Sequence, residues 1–330
     1  GQTKYANNMM DMVKLSKQPV EVQMEVAKIL DSTPTTTFRQ AFVTAKLRLI
    51  PDAWSADNRK LREEILPPRS IMKFEREKNK LNDICKTVSH NEELRRTKKT
   101  ALFGTNVVSN YTMLPEHSRW FIKYFSNEGD LICDNTCGRG TNILAGAYEG
   151  RSVIGYDLNK NNLDCIEEAL EKYIGKVPYK LHHSCGVEMV EYEKHVEKFD
   201  LFINDIPYIL NAEKYNDDPR DLGNIKNLDE FYERVEVMML NMKRLIKKSN
   251  YEKGVFKPII MKVGSQRRGT KGLIDMATDI EMIARKIGLT LHDKIFNELR
   301  PSMQSYIINT TFQKRFTMKI QECNLIFVNY

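Results

Sequence analysis

The chain has 330 residues, 41% of them hydrophobic and 29% charged, which is the balance of an ordinary water-exposed globular protein. No apolar run approaches the ~18 residues that a spanning helix needs, so an integral membrane class is set aside and no membrane partner is expected. The net charge is +7, and nearly all of the excess lies in residues 1–110. A basic surplus of this kind favours a polyanionic partner, although a solvated helical surface carries the same signature.

In chain order, residues 4–100 read as mostly helical. Val20 to Leu30 follows Pro19, a residue suited to a first helical turn. Phe38 to Ile50 is a second helix stopped by Pro51, and Asp57 to Ile65 a third broken by Pro67-Pro68. Ile71 to Val88 reads as a further charged helix. With no repeat and no helix-turn-helix, residues 1–105 are expected to form a basic helical extension that binds nucleic acid or a partner.

From residue 106 the pattern alternates strands and helices, as in a mostly parallel sheet. Predicted helices are Pro115 to Phe125, Asn142 to Glu149, Asn161 to Lys172, Leu228 to Lys248 and Asp275 to Ile287. Predicted strands are Leu131 to Cys133, Ser152 to Tyr156, a weak Tyr179 to His182, Phe199 to Asn204 and Pro258 to Val263. Thr290 to Asn297 and Cys323 to Val328 close the sheet as an antiparallel hairpin. The expected fold is therefore α/β, a seven-stranded, mostly parallel, doubly wound sheet.

Two motifs sit on this frame. Asp134-Asn135-Thr136-Cys137-Gly138-Arg139-Gly140-Thr141 is a glycine turn between a strand and a helix. In such sheets ligands bind beyond the carboxyl ends of strands, and glycine lets backbone approach them closely. Asp157 ends the next strand, where a carboxylate can accept ribose hydroxyls. The spacing is not a full G-x-G-x-x-G fingerprint, so S-adenosylmethionine suits the turn better than a dinucleotide does. The second motif is Asn204-Asp205-Ile206-Pro207-Tyr208. An exocyclic amine on a base is a poor nucleophile because its lone pair is delocalised. A carboxylate (Asp205) and a backbone carbonyl (Ile206) that both accept its N–H groups expose that lone pair. Pro207 stiffens the turn, and Tyr208 stacks on the base.

Residues 114–208 resemble the class I amino-methyltransferases that modify adenine N6 or cytosine N4 in DNA, of phage and bacterial type; similar tetrads occur in enzymes that methylate adenine in ribosomal RNA. The likeness extends over about residues 110–330, with Leu114 to Phe125 similar to the segment upstream of the glycine turn and Arg315 to Phe327 to the closing strand. It implies a cofactor site at Asp134, Thr136, Gly138, Arg139, Gly140, Thr141, Asp157, Leu158 and Asn204. It also implies a catalytic tetrad at Asp205, Ile206, Pro207 and Tyr208, and methyl transfer to a base, adenine N6 of DNA first. RNA or small-molecule methylation and a catalytically inactive binding subunit are the alternatives. Three departures stand out. Ile206 replaces the first tetrad proline, Arg139 replaces a small residue, and His183-Ser184-Cys185-Gly186 lacks the acid often found near the adenine.

The basic loop Gly264 to Lys271 is a candidate phosphate grip through Arg267, Arg268 and Lys271. The polar stretch Asn211 to Asn224 is a candidate substrate loop. His182, His183 and His195 show no partner spacing and read as structural or surface groups. Six cysteines without regular spacing read as free thiols in a reducing compartment, the cytoplasm, and no ligand cluster suggests a metal. A partner subunit or a homo-oligomer is left open.

Overall fold

The computed structural model describes residues 15–18, 20–32, 37, 38, 40–42, 45, 69–75, 77–97, 113–207, 218–267, 272–298 and 321–330. The chain divides into two compact units, residues 1–63 and 64–330. In the first, helix α1 (Val20–Ser32) buries Val22, Val26, Ile29 and Leu30 with Phe38, Ala41 and Ala45. The helices expected over Asp57 to Ile65 and most of Phe38 to Ile50 lie outside the described residues.

The second unit begins earlier than the break near residue 105 that the sequence suggested. Ile71 does not open a helix. Ile71–Met72 is a short strand, β1, and helix α2 (Lys80–Thr97) starts only after it. Leu81, Ile84 and Val88 of α2 enter the same core as the sheet, which draws this stretch into the second unit.

There follow helix α3 (Pro115–Phe125), β2 (Leu131–Asp134), α4 (Thr141–Tyr148), β3 (Ser152–Asp157), α5 (Lys160–Ala169), β4 (Tyr179–His183) and β5 (Leu201–Asp205). Then come α6 (Leu228–Leu245), β6 (Pro258–Val263), the small pair β7 (Gln266–Arg267) and β8 (Leu273–Ile274), α7 (Met276–Lys286), β9 (Thr290–Glu298) and β10 (Gln321–Val328). The main sheet has eight strands among the described residues, in the order β1-β9-β10-β6-β5-β2-β3-β4. The run from β4 to β6 is parallel, β10 is antiparallel to both β6 and β9, and β1 adds parallel to β9. This is a Rossmann-like α/β sheet. The extra strand beyond the expected seven comes from β1 covering the exposed edge of β9, where the Phe296 N–H donates to the Ser70 carbonyl at 2.8 Å.

Helices cover both faces because both faces of the central strands are apolar; all six residues of β6 are buried. One face carries α6 and α7, with Phe231, Val235, Met238, Met239, Met242 and Leu245 along α6 at helical spacing. Asn227 caps α6 by accepting from the Asp229 and Glu230 N–H groups, and Lys243 and Arg244 lie in its last turn, both favourable to the helix dipole. The other face carries α2, α3, α4 and α5. There Glu116 of α3 accepts from the Glu77 N–H at 2.9 Å and from the Asn82 side chain, pinning the strand-to-helix link against α3.

At the amino edge of the sheet Asp200 accepts from the Leu131 N–H at 2.9 Å and lies 2.8 Å from both Lys247 and Lys257. Burial opposes its charge, yet the two ammonium groups hold it below the ordinary carboxylate range. No described helix is long and apolar enough to cross a membrane. All six cysteines are free thiols.

Candidate active site at the carboxyl edge of the sheet

The glycine turn joins β2 to α4. Asp134, the last residue of β2, accepts from the Thr136 N–H at 3.0 Å and from the Asn142 amide at 2.8 Å. Gly138 and Gly140 have φ of 51° and 76°, a left-handed backbone that glycine adopts without strain. Their surroundings differ. A Cβ at Gly140 would sit 2.5 Å from Ile166, so that glycine serves close packing of α5. A Cβ at Gly138 would meet nothing within 4 Å, which leaves its backbone facing open space. The turn is tied to β3 by the Cys137 N–H donating to the Tyr156 carbonyl at 2.9 Å.

Asp157 sits at the end of β3 against the same turn. One oxygen accepts from the Gly138 N–H at 2.8 Å; the other accepts from the Asn159 N–H at 2.7 Å and the Asn162 amide at 3.3 Å. Burial pushes both Asp134 and Asp157 up to about 7, partly offset by these donors. Two carboxyls poised near neutrality at one turn are suited to a ligand that presents donors or positive charge.

A second layer lies under the turn. The Asn135 amide donates to the Gly186 carbonyl at 2.9 Å, and the Asn204 amide donates to the Asn135 oxygen at 2.7 Å. Asn204 is buried, shares the Met242 side of the sheet, and so supports the turn from beneath. Gly186 is sterically required: a Cβ there would lie 1.7 Å from the Asn135 carbonyl oxygen, a backbone atom that cannot rotate away. Gly186→Ala is expected to cost about 3 kcal/mol or more, because the loop after β4 must lift off the turn. A thermal or urea melt compared with wild type measures this; an unchanged midpoint would show that the two loops separate freely.

Asp205 ends β5 beside the turn, and the Thr136 hydroxyl donates to its carbonyl at 3.3 Å. Its side chain is about a third exposed (32%). The Lys262 ammonium, on the neighbouring strand β6, lies 2.9 Å from Asp205 Oδ2 and 3.0 Å from Glu322 Oε2 on β10. Lys262 is buried; burial opposes its charge, but the Asp205 and Glu322 carboxylates hold its proton above the ordinary lysine range.

Ile206 explains the departure from a proline. Its N–H donates to the Lys262 carbonyl at 3.2 Å, and its side chain is buried in the core on the α6 side. A proline here would delete that bond.

The other expected residues fall into place unevenly. Thr141 opens α4 and is buried, and Arg139 is half-buried. Leu158 packs against the α6-side core, with its carbonyl 3.1 Å from His183 Nε2. Pro207 is half-buried at the end of the described stretch. Tyr208, Arg268, Lys271 and the Asn211 to Asp217 part of the polar stretch lie outside the described residues. Arg267 enters only through its backbone in β7. Where an acid was missing, Cys185 is buried in the α6-side core and Gly186 is buried against Asn135 of the turn.

Sequence reasoning passed over Lys262, Glu322 and His117. A lysine inside Pro-Ile-Ile-Met-Lys-Val was the available signal. His117 is buried on α3. Burial first, and then the nearby Lys262 charge, keep its imidazole well below the ordinary value. Among the described residues no group of three or more His, Cys, Asp or Glu side chains is placed to hold a metal.

No protein-family model matches the chain. Over 118 residues it is 32% identical to a protein of Methanocaldococcus jannaschii named as a candidate ribosomal RNA large subunit methyltransferase, covering 34% of this chain and 30% of that one. The chain thus spans under a third of the length of the curated relatives it matches. Among solved structures, a SAM-dependent methyltransferase of Methanosarcina mazei is 14% identical with a TM-score of 0.41, covering 63% of this chain and 96% of that one. A candidate methyltransferase of Streptococcus mutans, solved with SAH, is 13% identical with a TM-score of 0.40, covering 66% and 98%.

Proposed function

We propose that the protein transfers a methyl group from S-adenosylmethionine to an exocyclic amino group of a nucleobase in RNA, adenine N6 first. The motif resemblance pointed to DNA. The M. jannaschii relatives are named for ribosomal RNA, and that favours RNA as the substrate.

The residues present fit the cofactor. Gly138 offers a backbone cradle that opens onto free space, and Asp157 stands beside it to accept ribose hydroxyls. Asp134 supplies a buried carboxyl near the turn for a cationic end. When bound, S-adenosylmethionine supplies a methyl carbon made electrophilic by its sulfonium.

The chain's task is then positioning. Asp205 accepts one N–H of the base amine and the Ile206 carbonyl the other, which exposes the nitrogen lone pair. Held by Asp205 and the Ile206 carbonyl, the amine nitrogen would face the methyl carbon that the bound cofactor would supply, and the proton it loses on transfer would pass to water. The target base must be unpaired or turned out of its stack to enter. The observation that carries this reading is the hydrogen bond from Thr136 in the glycine turn to the Asp205 carbonyl, since it puts the two motifs in contact.

The test is tritium transfer from labelled S-adenosylmethionine to deproteinised ribosomal RNA, plasmid DNA and free nucleosides, followed by nucleoside mass spectrometry. Label in RNA as an N6-methyladenosine is the expected result. Label in DNA alone would return the substrate to the one the motifs suggested. No label in any sample, together with no cofactor binding by calorimetry, would leave a binding subunit.

A further inference from the structure

We infer that Lys262 is a positioning residue for the amine-accepting carboxylate, a buried ammonium that clamps Asp205 Oδ2 from the neighbouring strand while Glu322 holds it from the other side. The inference rests on the reading of Asp205 as the amine acceptor.

Packing alone does not call for a lysine here. The rest of β6 is Pro258, Ile259, Ile260, Met261 and Val263, all buried, and an apolar residue at 262 would continue that pattern. Taking a charge out of water costs several kcal/mol unless excellent partners compensate, and apolar replacements of buried ion pairs are often neutral or stabilising. The cation is nevertheless present, and its partners come from both flanking strands. Asp205 is its register partner on β5. Asn324 is opposite it on β10, and Glu322 lies two residues along on the same face.

The geometry divides the labour. Lys262 Nζ sits 2.9 Å from Asp205 Oδ2 and 3.0 Å from Glu322 Oε2. Glu322, only 13% exposed, anchors the ammonium within the sheet, and Asp205, 32% exposed, leaves part of the clamped carboxylate open to its surroundings. A terminal carboxylate otherwise rotates broadly about its last bond. A charge-assisted hydrogen bond at this distance restrains it and fixes the plane in which the group meets an incoming amine. Among the described residues, the His117 imidazole from α3 feels the Lys262 charge and the Asp134 carboxyl from β2 feels Asp205.

The test uses the full chain with three variants: Lys262→Met, Lys262→Arg, and Lys262→Met with Glu322→Gln. The double variant removes both the cation and its second anion, so it avoids stranding a buried Glu322 charge. In protein carrying carboxyl-labelled aspartate, the Asp205 resonance is assigned by its loss in Asp205→Asn. Without substrate, the Asp205 titration midpoint should rise by about one unit or more in the double variant.

In the transfer assay kcat should fall by about 30-fold or more, and the acid limb of the pH profile should move upward with the midpoint. S-adenosylhomocysteine affinity should stay within about twofold. Lys262→Arg should recover at least about a tenth of wild-type kcat, since a guanidinium can also clamp a carboxylate. A double variant that titrates like wild type and keeps full kcat overturns the proposal. If wild type labels no nucleic acid, the methyl-transfer reading fails by itself. The substrate-free titration still decides whether Lys262 controls Asp205.

Discussion

Asp205→Ala is expected to lower methyl transfer by at least about 10³-fold while S-adenosylhomocysteine binding stays within about twofold. Removing a single preorganised acceptor or donor in an enzyme site typically costs about 10²–10³ in rate. Here the same group also aligns the nucleophile, so the loss of orientation adds to it. The residues proposed for the cofactor side are held independently of Asp205: Asp134 by Thr136 and Asn142, and Asp157 by Gly138, Asn159 and Asn162.

The substitution carries a structural penalty as well. It strips one partner from a buried ammonium, and breaking a buried pair costs about 3–5 kcal/mol when no other partner remains. Glu322 remains 3.0 Å from Lys262, so a loss below that range is expected. Asp205→Asn separates the two effects. It keeps the shape and one carbonyl oxygen for Lys262, and it should melt closer to wild type while transfer stays low. Rates and melting curves of both variants check this; full activity in either would remove Asp205 from the reaction.

The second large effect is a pH dependence of opposite sign in stability and in ligand binding. Asp134 and Asp157 both rise to about 7 in the fold because burial disfavours their charge. In the unfolded chain an aspartate titrates near ~3.9. The folded, cofactor-free protein therefore binds protons more tightly than the unfolded chain does. The stabilisation from these two groups is full below about pH 4 and is lost as pH rises through about 7. This runs against the ordinary aspartate, which favours the fold at higher pH.

Ligand binding should move the other way. A carboxylate that accepts ribose hydroxyls, or faces a cationic end, must be ionised. Affinity for S-adenosylhomocysteine should therefore weaken by roughly tenfold per unit below about pH 7 for each carboxyl that must ionise, and by up to about a hundredfold per unit if both must. Calorimetry from pH 5.5 to 8, beside melts of the cofactor-free protein over the same range, gives both slopes. Asp157→Asn should flatten each of them. An affinity that stays level across the range would detach these carboxyls from the ligand.

Much of the sheet was legible beforehand because its signals are local. Pro115 starts α3, and Phe121, Ile122 and Phe125 bury one face at helical spacing. Asn227 and the acids after it mark the start of α6. Pro258 to Val263 is β6 over its full length. The glycine turn, Asp157 and Asp205 were also readable, since strand ends and positive-φ glycines leave a pattern in a single segment. Residues 71–88 were misread as one helix. Their charged character hid Ile71 and Met72, whose strand exists only because β9 offers an open edge. That contact joins residues more than two hundred positions apart.

What the sequence determined by itself is the order of the main-sheet strands and helices from α3 onward, the placement of a flexible-backbone turn after β2, and two acids at the ends of β3 and β5. These follow from short-range periodicity, backbone stereochemistry and turn chemistry. Only the tertiary structure decided that Lys262 grips Asp205, that Glu322 holds Lys262 in turn, and that Ile206 spends its N–H on β6 where a proline would have none. It also decided that Asp134 and Asp157 sit near neutrality. The physical reason is common to all four: each depends on strand register or on burial by distant segments, and neither is a property of any short stretch of chain.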